Sequence, residues 1–169
     1  MAVEEQLLSN TDLACGYPNY EWTGQRLTIP NREITKISFR VYKVGSPTGN
    51  VYYQIRRIDP DEVIYSQLVG DASTFPAEAS WFEKELAVAQ TINEEVRLVC
   101  FHDDGTTSNY LKMRAQDSDV KASEKVTRWT TDQWDETLDY DLAYIYTYTG
   151  EPVGGGESTA AALVAANMI

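Results

Sequence analysis

His102 is the only histidine in the chain, and Asp103 and Asp104 follow it directly. A histidine oriented by a carboxylate is the base of a Ser-His-Asp triad. That chemistry also needs an activated serine, and no G-x-S-x-G string marks one. Transition-metal binding is equally poorly supported, because no second histidine and no C-x-x-C pair stands at ligand spacing. His102 therefore reads as a strand-end residue beside a polar loop. The carboxylates are a harder donor set. Asp103 and Asp104 lie near Gly105 and Asn109, while Asp135, Glu136, Asp139 and Asp141 crowd the approach to the last strand. Loop carboxylates suit Ca²⁺, although no D-x-[DN]-x-[DN]-G string is present. Structural calcium is thus the one cofactor with ligands on offer; no other cofactor and no metal site is predicted. Glycoside hydrolysis would need two acids held at a set distance across a cleft, and no spacing here selects a pair. Trp22, Trp81, Trp129 and Trp134 remain. Indole faces stack against the C–H groups of a pyranose, and indoles are equally the usual anchors of protein interfaces. Trp129 and Trp134, set in the polar segment TRWTTDQWDET, are the pair expected at the surface and the candidate ligand or partner aromatics. No residue is assigned to catalysis, and the chain reads as non-enzymatic.

Whatever these residues do, strands must position them. From Glu33 to Ile58 two alternating runs flank the loop Lys43–Asn50. Ile37, Phe39 and Val41 share one face, and Val51, Tyr53 and Ile55 share another, with polar or aromatic residues between. A period of two marks half-buried antiparallel strands. The loop has matching turn chemistry: Gly45 and Gly49 can take positive φ, and Pro47 fixes its own. Further strands are expected at Gln25–Ile29, Glu62–Val69, Ser80–Leu86, Glu94–Asp103, Tyr110–Ala115, Val126–Trp134 and Leu142–Tyr148. Ala87–Asn93, which lacks alternation, is expected to cross between sheets. Eight or nine short strands with turns between them predict an all-β, antiparallel sandwich.

The loop string KVGSPTGNV, followed by an Ile-Arg strand, resembles a β-sandwich domain of phage structural genes and environmental sequences. Asp71-Ala72-Ser73-Thr74, Trp81-Phe82, NEEVRLVCFHDD, SNYLKM and Asp141-Leu142-Ala143 follow in the same order, so the likeness covers Gln25 to Tyr148. It implies a jelly-roll-like sandwich and carries no catalytic residues.

Composition narrows the partners. With 26 acidic and 14 basic residues the net charge is −12. Nucleic-acid binding needs clustered cations to displace counterions, so neither nucleic acid nor an anionic membrane surface is an expected partner. The start MAVEEQLLSNTDLA lacks a basic region and an apolar core, and no run approaches the length of a membrane span, so synthesis in a cytoplasm is expected. In that compartment Cys15 and Cys100 are expected as free thiols.

The chain divides into an extended arm at 1–23, with Tyr20 and Trp22 as possible anchors, the sandwich at 24–149, and a tail at 150–169. The tail opens on a flexible Gly150–Glu157 linker. Ser158–Ile169 then carries no charge, and Leu163, Val164, Met168 and Ile169 are its candidate subunit-interface residues. These features lead to one expectation: a virion structural protein, a capsid decoration or head-surface component. It would dock through its terminal arms on copies of itself or on a major-capsid-type neighbour. The alternative from a different class is a carbohydrate-binding adhesion module.

Overall fold

A computed structural model describes residues 1–136 and 139–150. Those residues form eleven strands, every pairing antiparallel: β1 (Ala2–Gln6), β2 (Thr11–Cys15), β3 (Trp22–Val44), β4 (Asn50–Arg57), β5 (Glu62–Asp71), β6 (Ser80–His102), β7 (Tyr110–Gln116), β8 (Lys125–Thr130), β9 (Gln133–Asp135), β10 (Asp141–Leu142) and β11 (Tyr144–Thr149). The one helical element among them is a 3-10 turn at Ala72–Thr74.

The strand count exceeds eight or nine although two expected pairs of strands are fused. β3 and β6 are each 23 residues long and pair with one another from Trp22↔Phe101 to Val41↔Ser80. Pro30 does not end the first of them, because it sits in a register shift between Ile29 and Arg32, where the missing N–H does no harm to the ladder. A second shift between Ile34 and Lys36 sets Thr35 against several residues that follow Glu85. The stretch without alternation is therefore a bulged strand that stays paired while passing between layers.

This ribbon belongs to both layers of the sandwich. Its Trp22–Ile29 half carries β8 and β9 on one side, and β4 and β5 beyond β6 on the other. Its Glu33–Val44 half carries β11 and β1, with β7, β2 and β10 continuing past Val41. Facing side chains close the layers. Fully buried Phe39 meets Tyr53 edge to face at 5.0 Å, and the Tyr53 hydroxyl donates to the Phe82 carbonyl at 2.8 Å. Ile34, Ile37, Val41, Val51, Ile55, Leu98, Leu111 and Met113 fill the space around them.

The Lys43–Asn50 loop crosses from one layer to the other. β3 and β4 are not a hydrogen-bonded hairpin, since β6 lies between them. Both loop glycines take positive φ, 68° at Gly45 and 93° at Gly49. Residues 1–21 supply two strands of the layers themselves, and Trp22 opens β3. The Ser158–Ile169 segment, with Leu163, Val164, Met168 and Ile169, lies outside the described residues.

Candidate functional site

Alternation decides which aromatics reach the outer face. On β4 Tyr53 points into the core, so Tyr52 points out; on β6 Cys100 is inward and Phe101 outward; on β3 Thr23 is buried and Trp22 is not. Register then aligns them. Tyr52 and Trp22 both stand opposite Phe101, Thr23 opposite Arg128 brings Trp22 beside Trp129, and Trp129 stands opposite Trp134. The result is one row of rings across five strands. Successive centroids are 6.0, 4.4, 5.9 and 5.4 Å apart from Tyr52 through Phe101, Trp22 and Trp129 to Trp134.

The orientations limit what the row can bind. Trp22 and Phe101 are stacked at 11°, so each spends a face on the other, while Trp129 meets its two neighbours edge to face. Trp134 is pinned. The Arg97 and Arg56 guanidinium carbons lie 4.6 and 5.4 Å from its ring centroid, and its N–H donates to Asp61 Oδ2 at 3.0 Å. The Trp22 N–H donates to Gln54 Oε1 at 3.2 Å. A hollow of about 50 Å³ remains between Trp22, Arg56, Trp129 and Trp134, room for a water or two rather than a sugar ring. A ligand would lie across the row, against ring edges and the Arg56–Asp61 pair. Trp81 stands apart, on the other layer opposite Arg40.

Beside the row lies a cluster of charges. Arg97, only 5% exposed, pairs with Glu136 at 2.9 Å, and Glu136 also pairs with Arg26. Arg26 holds Glu95 at 2.7 Å and pulls its carboxyl below the usual range. One Arg97 nitrogen, Nη1, is buried without a hydrogen bond, with Asp61 3.7 Å away. This network ties the β8–β9 ribbon to the sheet.

The carboxylates considered as calcium ligands are used elsewhere and fall into separate places. Asp103 Oδ1 accepts from the Asn50 N–H at 2.8 Å and Asp104 Oδ2 from the Thr48 hydroxyl at 3.3 Å, which fixes the crossing loop. Asp135 and Asp139 face Arg128 and Lys125, at 3.5 and 3.6 Å. Buried Asp141 accepts from Gln25 Nε2 at 2.7 Å and from the backbone N–H groups of Val120 and Lys121. Among the described residues no three His, Cys, Asp or Glu side chains gather where they could hold an ion.

His102 is fully buried at the end of β6. Its Nε2 lies 2.7 Å from the Thr48 carbonyl, an acceptor, so that nitrogen carries the hydrogen and donates. Nδ1 is buried without a partner against Gly16. The ring ties two loops together. Cys15 and Cys100 are buried and unbridged, with the Cys15 thiol donating to the Cys100 carbonyl at 3.2 Å.

Glu124 is the carboxylate whose environment opposes its charge. Burial and the Asp141 charge push it up against the pull of Lys121 and the Tyr144 hydroxyl, which donates to it at 2.8 Å, and the net direction is upward. A raised carboxyl stabilises the fold fully below its unfolded value, and that contribution is lost as pH rises through the folded value. Glu124→Gln is therefore expected to raise the melting temperature at pH 7, with the gain shrinking to nothing below about pH 4, near the ordinary glutamate value. Thermal melts across that range check it; a gain that grows in acid contradicts it.

Trp129 and Trp134, the pair expected at the surface, are half-buried because they pack on each other and on Trp22, and the exposed tryptophan is Trp81. Tyr52 and Phe101 were not singled out from the sequence, because strand register sets their place in the row. No protein-family model, curated protein or solved structure matches this chain.

Proposed function

We propose that this chain is a non-enzymatic structural subunit of a larger assembly, a surface or decoration component of a virus particle, held there through its terminal segments. One observation supports the reading above the others. Both ends of the described chain reach the same open sheet edge: β1 pairs only with β11, and Met1, Ala2, Tyr148, Thr149 and Gly150 line one shared hollow of about 280 Å³. Val3 on β1, and Met1, Leu7 and Leu8 just beyond its two ends, are exposed. Apolar residues left in water along an open strand mark a place for another chain.

The test is stoichiometry. The protein should co-purify with particles at a copy number fixed by their symmetry, and deletion of Ser158–Ile169 should remove it from them while the sandwich stays folded. Absence from purified particles, or normal incorporation of the truncated chain, overturns the proposal.

A second reading, a carbohydrate-binding module, would need the sugar to lie across the edges of the aromatic row rather than in its hollow. Its test is separate: selective glycan binding that disappears in a Trp129→Ala, Trp134→Ala double variant whose fold is intact.

A further inference from the structure

Cys15 and Cys100 are the only cysteines of the chain, and the fold brings them together from different layers. Cys15 ends β2, a strand hydrogen-bonded only to β7. Cys100 lies near the end of β6, opposite Thr23 on β3 and Tyr53 on β4. The two are 85 residues apart in sequence, yet the Cys15 thiol donates to the Cys100 carbonyl at 3.2 Å. The side chains also act on each other. Burial first, and then the Cys15 thiol, push the Cys100 thiol well above its usual value. Both are fully buried in one core cluster. No ladder joins β2 to β6. Apart from packing, the end of β2 is held to the other layer by side-chain donors, the Cys15 thiol and the Thr23 hydroxyl, which donates to the Ala14 carbonyl at 2.7 Å.

We propose that Cys15 and Cys100 are an oxidisable pair, closed to a disulfide when the protein passes from a reducing to an oxidising medium, and that the bond staples β2 to β6 across the core. Reduced thiols are the form a cytoplasm maintains. Outside it, a contact that is now a weak hydrogen bond becomes a covalent one.

The oxidant is a low-molecular-weight disulfide. Cys15 reacts first, because β2 has one strand partner and can lift, whereas Cys100 has strands on both sides. The Cys15 thiolate displaces one small thiol and forms a mixed disulfide. The Cys100 sulfur then attacks the Cys15 sulfur, forms the internal S–S bond and expels the second small thiol. Two electrons pass from the protein to the oxidant, and the two thiol protons end on the small thiols released. A sealed core and a Cys100 thiol held protonated make this slow, so its rate follows the opening of β2. The bond closes a long loop, the case in which a cross-link constrains the unfolded chain most.

The test compares one chain in two redox states, so it does not depend on a variant that folds. The full chain, kept native near neutral to mildly basic pH with glutathione disulfide, should lose two hydrogens in mass and yield a linked Cys15–Cys100 peptide. Its melting temperature should then rise by about 10 °C. Amide exchange over Thr11–Cys15 should slow by about tenfold. Dithiothreitol should reverse all three changes, and Cys15→Ala should show none of them. Two free thiols after prolonged exposure would overturn the proposal. So would a stable glutathione adduct on either cysteine, or a link formed only between copies. An internal bond that leaves the melting temperature unchanged or lowers it would refute the staple.

Discussion

A Gly16→Ala protein is expected to lose about 2–5 kcal/mol of stability, adding a positive-φ penalty of about 1–2 to an overpacking cost of about 1–3. Gly16 has φ of 77°, and a Cβ there would lie 2.1 Å from His102 Nδ1 and 2.8 Å from its Cβ. The ring cannot swing aside cheaply, because Nε2 is bonded to Thr48 and the side chain is fully buried. Gly16 cannot retreat either, because Gly105 packs so closely on its carbonyl that a Cβ on Gly105 would overlap it. Against a domain stability of about 5–15 kcal/mol, the loss is a large share. Urea melts of Gly16→Ala, His102→Ala and the double variant separate the two terms. The double variant should recover the overpacking part and keep the backbone part. A single-variant loss below about 1 kcal/mol, or strict additivity of the pair, would contradict the account.

Phe39→Ala should cost about 3–5 kcal/mol, the range for deleting a buried aromatic. Phe39 stands on β3 in one layer and meets Tyr53 on β4 in the other, so its loss opens a cavity at the centre of the sandwich. Tyr53→Phe is the comparison. It removes only the hydroxyl that donates to the Phe82 carbonyl, and one such bond contributes about 1 kcal/mol net. Packing, rather than that hydrogen bond, holds the layers together. Equal losses in the two variants, measured by chemical denaturation, would reverse that ranking.

The sequence was informative where structure is local. Ile37, Phe39 and Val41 alternate with polar or aromatic neighbours and lie in the core, and Val96, Leu98 and Cys100 lie there too, with Val99 buried on the opposite face of the same strand. Gly45 and Gly49 sit where turn chemistry required positive φ. What could not be read depends on partners far along the chain. The expected strand Gln25–Ile29 stops short of Pro30, because what lets a proline continue the ladder is a bulge facing β6. Gln25 opens an expected strand, and nothing in its neighbours marks it as buried. Its place in the core depends on Asp141, which accepts from it, and on Leu142, whose N–H donates to its Oε1 at 2.8 Å. The aromatic row is a product of register across five strands, and no single segment contains it. The carboxylates looked like cation ligands because sequence shows their proximity and not the N–H groups and arginines that occupy them.

The antiparallel pairing of β1 with β11 also sets how the domain meets mechanical force. Ala2 lies opposite Tyr148, so Met1 and Gly150 leave from the same end of one two-stranded ladder. Tension applied through those two points does not load the ladder's hydrogen bonds together. It opens them one after another from Ala2 toward Gln6, like a zipper, while Phe39, Tyr53 and the β3–β6 ribbon carry little of the load. A chain held at both points would thus shed β1 at low force and keep the rest of its sandwich.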